Sequence, residues 1–252
     1  MNSIITGKNI VKIFGKAGEQ AKVLNGVNIE IAKGEFVAIM GPSGSGKSTL
    51  LFALSGMDEI TSGSVKFGDT EICKLSENEL ADVRRTKMGF VFQQPTMLKN
   101  LNLLDNIILP TVHKGKKDIV KLTQRAKNLM KKTGILGLEN RDIMEVSGGQ
   151  LQRTGICRSL MNEPDILFAD EPTGALNSKS AEEIMELLVD INKEGTAILL
   201  VTHDAKVAAR ADRVLFMKDG NIVSEFLLQK LSGRDMEVRE KKVLVGMAAV
   251  GI

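Results

Sequence analysis

Residues 41–49 are Gly-Pro-Ser-Gly-Ser-Gly-Lys-Ser-Thr, and this run restricts the chemistry more than any other part of the sequence. It follows the phosphate-loop pattern, in which successive backbone N–H groups surround phosphate oxygens while the lysine and the hydroxyl reach the terminal phosphate and Mg²⁺. The run 35–40 before it is typical of a buried strand, and residues 47–57 have helical character. A strand, a glycine-rich turn and a helix N-terminus form an anion site, so a nucleoside triphosphate is the expected ligand.

The composition is that of a protein with a sizeable buried core. Of 252 residues, 43% are hydrophobic and 26% are charged, which suits one large domain or a core with a smaller insert. The net charge of +3 is mild and the basic residues alternate with acids, which argues against a nucleic-acid partner. No signal-peptide pattern or membrane-spanning apolar run is found, and only Cys73 and Cys157 are present. We therefore expect a cytoplasmic protein without disulfides or a cysteine-rich metal site.

The hydrophobic pattern changes along the chain. Residues 1–33 alternate apolar and polar positions between glycines, which predicts short antiparallel strands, and residues 63–68 continue this pattern. Residues 117–132 carry apolar side chains at helical spacing and lie within a region, 94–146, that we expect to be a mostly helical insert.

The second half of the chain alternates strand and helix patterns. The apolar runs 166–169 and 197–201 are typical of buried strands, and residues 181–193 between them have the periodicity of an amphipathic helix. This alternation predicts an α/β fold with a central, mainly parallel sheet. The expected divisions are a core formed by residues 1–93 and 147–226, the helical insert 94–146, and a C-terminal tail 227–252 of unknown role.

Two adjacent carboxylates, Asp170 and Glu171, end the first of these strands. They point to opposite sides of an extended backbone, so we expect them to do different jobs. Beside a triphosphate, one can hold Mg²⁺ through its waters while the other orients and deprotonates the attacking water. A solvated strand end that caps the next helix is the alternative when this run is taken alone.

A second anion-binding helix start is predicted at Ser147-Gly148-Gly149-Gln150, which precedes a segment of helical character. Free N–H groups and the positive end of the helix dipole would face a ligand there. Taken alone, Ser-Gly-Gly is more commonly a simple turn. With the phosphate loop, it gives the chain two phosphate-binding devices.

These motifs, in this order, resemble those of the nucleotide-binding subunit of an ATP-binding cassette (ABC) transporter over about residues 8–225. The similar elements are the Walker A loop (41–49), the glutamine loop (Phe92-Gln93), the signature sequence (146–150), the Walker B strand (166–170) with its catalytic Glu171, the loop that follows (174–177), and the switch histidine (Thr202-His203-Asp204). The resemblance implies a P-loop NTPase core of the RecA-like type with an N-terminal antiparallel β subdomain and an inserted helical subdomain.

The family resemblance also implies a mechanism and a set of site residues. Two copies would pair head to tail, with each ATP held between the Walker A loop of one chain and the signature helix of the other. Hydrolysis would then remove the γ phosphate that joins them. The implied catalytic residues are Glu171 as general base, His203 at the γ phosphate, Gln93 at the metal or the water, and Lys47 at the β and γ phosphates. The implied ATP contacts are Phe14, Gly41, Pro42, Ser43, Gly44, Ser45, Gly46, Lys47, Ser48, Thr49, Ser147, Gly148, Gly149 and Gln150, and the implied Mg²⁺ ligands are Ser48, Gln93 and Asp170.

Three positions depart from the family pattern. Phe14 stands where a tyrosine usually stacks on the adenine, and a core phenylalanine is the alternative. Val146 replaces a leucine, which keeps an apolar anchor. Asn177 replaces the commoner aspartate, which leaves a polar contact across the dimer possible. Of the two histidines, His113 lies in a basic stretch typical of a surface loop.

The run 169–180, together with 89–94 and 106–110, is similar to the branch that serves lipoprotein release, macrolide export and antimicrobial-peptide resistance, with bacitracin-type exporters as the nearest version. The resemblance implies a multi-span permease on a separate chain and a location at the inner face of the cell membrane. The permease is expected to dock near residues 97–110, whose apolar side chains could instead be core of the insert. A soluble ABC ATPase acting on ribosomes or DNA, or a nucleotide-dependent dimerising scaffold, stays the alternative.

The C-terminal tail gives the weakest pattern. Ten apolar residues, 243–252, follow the charged run 234–242. They could pack on the core, cover a dimer surface or remain exposed.

Overall fold

The structure, a computed structural model, describes residues 3–15, 19–112, 118–228, 230 and 236–251. The strands are β1 (Ser3–Phe14), β2 (Ala21–Ala32), β3 (Phe36–Met40), β4 (Ser62–Phe67), β5 (Thr70–Glu71), β6 (Met88–Phe92), β7 (Ile166–Asp170), β8 (Ala197–Val201), β9 (Arg213–Lys218) and β10 (Asn221–Leu227). The helices are α1 (Lys47–Leu54), α2 (Glu77–Lys87), α3 (Leu103–Ile108), α4 (Ile119–Lys132), α5 (Gly148–Leu160), α6 (Ser178–Lys193), α7 (Ala205–Ala208) and α8 (Met236–Ala249).

The central sheet has six strands in the order β10-β9-β3-β8-β7-β6. All neighbours pair in parallel except the hairpin of β9 and β10. Every residue of β3 and β8 is buried, as expected for strands covered on both faces. The predicted α/β fold with a mainly parallel sheet is confirmed.

A second sheet, in the order β2-β1-β4-β5, is antiparallel. The prediction of short strands is wrong for this region, because β1 and β2 each extend over 12 residues. Gly26, which we predicted to mark a turn, lies inside β2. The pairing passes from Ile10 with Val27 to Val11 with Asn25, so Gly26 is an extra residue. It has a φ of 85°, and such a bulge bends the strand without ending it.

Two apolar layers cover the faces of the central sheet. One joins α1 to the antiparallel sheet and includes Leu50 and Leu54, and the other lies under α5, α6 and α7 and includes Ile156 and Leu188. A third cluster joins α3, α4 and α5. The helices α3 and α4 lie within residues 94–146, while the exact boundaries of a helical subdomain stay a prediction.

Helix bounds differ from the sequence-based ones where capping decides them. The helix α4 begins after Asp118, whose carboxylate accepts the N–H groups of Val120 and Lys121. The helix α6 begins at Ser178 because Asn177 caps it. We did not predict α2, which has no fully buried residue, although a Ser76–Glu79 capping box starts it.

The C-terminal segment is a helix that packs on the core, which is one of the three alternatives. Val243 of α8 is fully buried, and α8 contacts α7, β9 and β10. The Arg239 side chain, only 5% exposed, donates to the carbonyls of Ala209, Leu228 and Ala211. Among the described residues, no helix combines the length and apolar character that a bilayer crossing requires.

Candidate functional site

The phosphate loop, residues 41–46, connects the end of β3 to the start of α1. Its glycines are required by close backbone packing: a Cβ at Gly41 would lie 2.2 Å from the carbonyl oxygen of Met217, and one at Gly46 would lie 2.9 Å from that of Val23. Gly46 also has a φ of 97° and stands at the N-cap of α1 without a side-chain cap. The first N–H groups of α1 are therefore presented to a ligand instead of a capping side chain.

Two polar groups, the Ser45 hydroxyl of this loop and the Lys47 ammonium at the start of α1, are arranged as an anion would require. The hydroxyl of Ser45 is buried, with no hydrogen-bond partner among the described residues. The Lys47 Nζ donates to the carbonyl oxygens of Gly41 at 2.8 Å and Pro42 at 2.9 Å. Burial lowers the pKa of Lys47, and the nearby Glu171 and Asp170 oppose that shift. Phosphate oxygens suit this arrangement, because they can accept hydrogen bonds from the Ser45 hydroxyl, from the free N–H groups of α1 and from the Lys47 ammonium.

A pair of oxygen ligands lies beside the loop. The Ser48 hydroxyl donates to Asp170 Oδ1 at 2.9 Å. Burial raises the pKa of Asp170, and the hydrogen bond from Ser48 opposes the shift. In the described part of the chain, no cluster of three or more His, Cys, Asp or Glu could hold a metal. A hydroxyl and one carboxylate suit Mg²⁺, which commonly takes its remaining ligands from phosphates and water.

Glu171 and His203 meet at the carboxyl edge of the sheet. Glu171 Oε1 lies 2.8 Å from His203 Nδ1, and the Glu171 N–H donates to the carbonyl of Val201 at 3.0 Å. Glu171 has a φ of 47°, a conformation that costs free energy in a residue with a side chain. The His203 side chain is 74% exposed. The strained glutamate therefore faces an accessible edge, where open α/β sheets bind ligands.

Gln93 follows β6, whose last residue pairs with Asp170. Its amide lies against Gly174, where a Cβ would be 2.7 Å from Gln93 Nε2. The preceding carbonyl, that of Phe92, accepts a hydrogen bond at 2.9 Å from the buried Gln152. We did not single out Gln152 from the sequence, because this contact spans 60 residues.

The signature turn lies at the start of α5. Ser147 and Gln150 form a capping box, with the Ser147 N–H donating to Gln150 Oε1 at 2.8 Å. Positions 148 and 149 face Leu176 and Ser180. Among the described residues, no hydrogen bond joins this turn to the phosphate loop. Within one chain, the predicted second phosphate-binding helix start therefore shares no hydrogen bond with the first.

Phe14 ends β1 and is 43% exposed, so it is not a core residue. Lys12 lies over its ring, with Nζ 4.6 Å from the ring centroid. We also missed Lys12 in the sequence, although two residues at i and i+2 share one face of a strand.

Asn177 and the apolar residues of 97–110 have structural roles within the chain. Asn177 caps α6 by accepting the Ser180 N–H at 2.9 Å. His113 lies outside the described residues. Within 97–110, Ile107 and Ile108 belong to the apolar cluster of α3, α4 and α5, and the range contains both buried and exposed apolar side chains. The buried ones are Met97, Leu103, Ile107 and Ile108, and the exposed ones are Leu98 and Leu109.

Comparison with known proteins identifies the family. A family model described as "ABC transporter" matches residues 24–174. The macrolide export ATP-binding/permease protein MacB of Mannheimia succiniciproducens is 43% identical over 223 residues, which cover 88% of this chain and 34% of that protein. The protein of the same name from Campylobacter jejuni is 44% identical over 241 residues, covering 94% and 37%. The chain thus spans about a third of the length of the curated relatives it matches.

Solved structures similar to this chain support the same family. A dimeric structure of a post-hydrolysis state of the ATP-binding cassette MJ0796 bound to ADP and Pi has a TM-score of 0.83 and 38% identity, covering 90% of this chain and all of that one. A dimeric structure of MJ0796 described as a bacterial ABC transporter cassette has a TM-score of 0.84 and 40% identity, with the same coverage. The predicted P-loop NTPase fold with its added subdomains is confirmed, and the chain belongs to the ABC transporter family as an ATPase cassette.

Proposed function

We propose that this chain hydrolyses MgATP between two copies of itself and thereby powers an export permease in the membrane. One observation carries the proposal. The start of α1 and the ends of β7 and β8 bring together five side chains at one edge of the sheet: Lys47, Ser48, Asp170, Glu171 and His203. The proposed second phosphate-binding helix start lies outside their contacts. One chain holds the parts of a hydrolytic site and a further anion site that it does not use itself.

The phosphate loop binds the triphosphate. Its N–H groups and the Ser45 hydroxyl donate to phosphate oxygens. The Lys47 ammonium leaves the carbonyls of Gly41 and Pro42 for the β and γ phosphates, and Thr49 contributes at the start of α1. The low-dielectric surroundings that lower the pKa of Lys47 also strengthen its attraction to a phosphate oxygen.

Ser48 and Asp170 would hold a magnesium ion, and Gln93 would reach the metal or the attacking water. When bound, Mg²⁺ would neutralise the negative charge that develops on the phosphates. To bind the ion, the Ser48 hydroxyl must turn away from Asp170. The two oxygens are only 2.9 Å apart, so both lie within reach of one ion.

Glu171 accepts the proton of the attacking water, and His203 contacts the γ phosphate. Glu171 Oε1 is 2.8 Å from His203 Nδ1. Moving His203 to the phosphate therefore releases a carboxylate oxygen to act as general base. General-base catalysis contributes about 10²- to 10⁴-fold in rate.

A second copy completes the site with Ser147, Gly148, Gly149 and Gln150. The positive dipole end of α5 favours negative charge, and in the chain's own contacts positions 148 and 149 lie against Leu176 and Ser180 rather than the phosphate loop. The dimeric cassettes among the structural relatives support this arrangement. ATP would favour the closed dimer because it contacts both chains only in that state.

The permease is proposed as a separate chain, which would hold this subunit at the inner face of the membrane. The relatives are named as macrolide export ATP-binding/permease proteins, which supports a membrane permease as the partner and a macrolide as one candidate substrate. The sequence resemblance adds antimicrobial peptides, lipids and lipoproteins as the other candidates. A groove of about 380 Å³ between α2, β6 and the helical region offers a docking surface of mixed character. Its lining includes Met57, Arg84, Phe90, Phe92, Pro110 and Arg158.

Hydrolysis and dimerisation test the site. Lys47→Ala should abolish ATPase activity, and Glu171→Gln should lower kcat at least about 100-fold while trapping an ATP-bound dimer in gel filtration. Lys193→Ala and Glu182→Gln, which change exposed ion pairs, are matched controls and should retain activity. Unchanged turnover in Lys47→Ala would refute the site, and a Glu171→Gln monomer at saturating MgATP would refute the shared site.

Affinity purification from solubilised membranes tests the permease. A multi-span membrane protein should be retained in stoichiometric amount. Exclusive recovery with ribosomes would overturn the transport assignment while leaving the ATPase site intact.

A further inference from the structure

The ammonium of Lys12 lies against the ring of Phe14, the side chain that the proposed function stacks on the nucleotide base. Lys12 and Phe14 share one face of β1, and Lys12 Nζ lies 4.6 Å from the centroid of the Phe14 ring. Cations within about 6 Å of an aromatic face attract it through the ring quadrupole. The pair is therefore a cation–π contact at the end of the strand.

Lys12 itself cannot move freely. It is only 9% exposed, and its Nζ contacts Asp58 Oδ1 at 2.6 Å and the carbonyl oxygen of Glu59 at 2.5 Å. Both partners belong to the segment that follows α1, the helix that begins at the phosphate loop. The Lys12 ammonium therefore links the Phe14 ring to the segment that follows α1, the helix that begins at the phosphate loop.

The ring lies at the correct side of the molecule for a base. Lys12 pairs with Leu24 and Phe14 pairs with Ala21, while a Cβ at Gly46 would touch Val23 and Leu24. Phe14 is two residues beyond Lys12, or about 7 Å along the strand. The strand pair that carries the Phe14 ring therefore borders the phosphate loop, and the proposed function directs the base of a bound nucleotide along it.

The geometry leaves one ring face available. Phe14 is 43% exposed, whereas Lys12, which covers one face, is almost buried. The covered face contributes little to the exposed surface, so the opposite face and the edges supply most of it. A flat base can stack on that face without displacing the lysine.

We propose that Lys12 is a positioning residue for nucleotide binding: it holds the Phe14 ring from one face so that the other face is presented to the base. The inference rests on the proposed function, in which Phe14 stacks on the base of ATP. A free surface phenylalanine would lose rotamer freedom on binding, and fixing the ring beforehand removes that cost. Loss of the cation should therefore weaken ATP binding about three- to tenfold.

Kinetics of Lys12→Met in the full chain test this. The KM for MgATP should rise about three- to tenfold with kcat within about twofold. The inhibition constant of inorganic tripolyphosphate, which has no base, should not change, and this also shows that the phosphate loop is folded. Lys8→Met removes an exposed lysine from the same strand and should match the unsubstituted chain in all three values.

A double-mutant cycle separates this role from a structural one. Phe14→Leu alone should raise KM, and adding Lys12→Met should raise it no further, because the two residues act as one unit. Asp58→Asn, which removes the anchor but keeps the lysine, should raise KM in the same direction by a smaller factor. It provides the test if Lys12→Met does not fold.

Three results would overturn the inference. An unchanged KM in Lys12→Met, beside a raised KM in Phe14→Leu, would refute the role of Lys12 alone. An equal rise in the tripolyphosphate constant would show that Lys12 acts on the phosphate loop instead. An unchanged KM in Phe14→Leu would refute the base platform of the proposed function, and the role of Lys12 with it.

Discussion

Replacing Arg239 by methionine should destabilise the protein strongly, because this side chain fastens α8 to the core. Its guanidinium donates to the carbonyls of Ala209, Leu228 and Ala211, and all three residues are buried. Methionine keeps much of the apolar stem but donates nothing. Each buried carbonyl left without a donor costs about 1–3 kcal/mol, so for three carbonyls we expect a loss of about 3–9 kcal/mol.

Urea and thermal unfolding measure this loss. A typical domain has a free energy of unfolding of about 5–15 kcal/mol, and 1 kcal/mol shifts the Tm of a chain this long by about 2–4 °C. The variant should therefore melt at least about 6 °C lower. Lys242→Met, at an exposed position of the same helix, should change the free energy of unfolding by less than about 0.5 kcal/mol. A loss in Arg239→Met as small as that of the control would refute the assignment of α8 as a fixed part of the core.

Further predictions concern the loop, the metal and the thiols. Gly41→Ala should lose about 1–3 kcal/mol of stability, because the new Cβ would lie 2.2 Å from the carbonyl of Met217; an unchanged Tm would contradict this. Ser48→Ala should raise the Mg²⁺ concentration for half-maximal ATPase activity about tenfold or more, and an identical Mg²⁺ titration would exclude Ser48 as a ligand. At pH 8 a thiol reagent should label Cys73, which is exposed, and reach Cys157 only after unfolding, since burial raises the pKa of Cys157 to about 12; rapid labelling of both would contradict its burial. Because the ordinary value is 9.0, the stability from the neutral buried thiol is present below pH 9 and is lost as the pH rises from about 9 to 12, which pH-dependent urea unfolding can measure.

The sequence predicted those parts of the molecule that local patterns determine. The phosphate loop and the strand ending at Asp170 depend on short runs whose residue types are dictated by the backbone they form, so their positions agree with β3, α1 and β7. The position of His203 at this edge of the sheet was also predicted, because the carboxyl ends of parallel strands lie together.

The contacts that the sequence did not reveal join distant segments. Gln152 and Phe92 are 60 positions apart, and neither has a pattern that points to the other. Ser48 and Asp170, which are 122 positions apart, were brought together only by the family resemblance, as ligands of one Mg²⁺. The helix α2 was missed because it buries none of its residues completely, which removes the apolar stripe on which helix prediction depends. The capping box at Ser76 was the available sign of it.

Disulfide trapping of the dimer is the most direct test of the central claim that two copies share each nucleotide. Ser43 and Ser147 are both exposed and would face each other across the closed dimer. In a chain carrying Cys73→Ser and Glu171→Gln, cysteines at positions 43 and 147 should form an intermolecular bridge on mild oxidation with MgATP. Each single-cysteine chain, and the double variant without nucleotide, should stay monomeric on a denaturing gel. The absence of a bridged dimer at saturating MgATP would contradict the account.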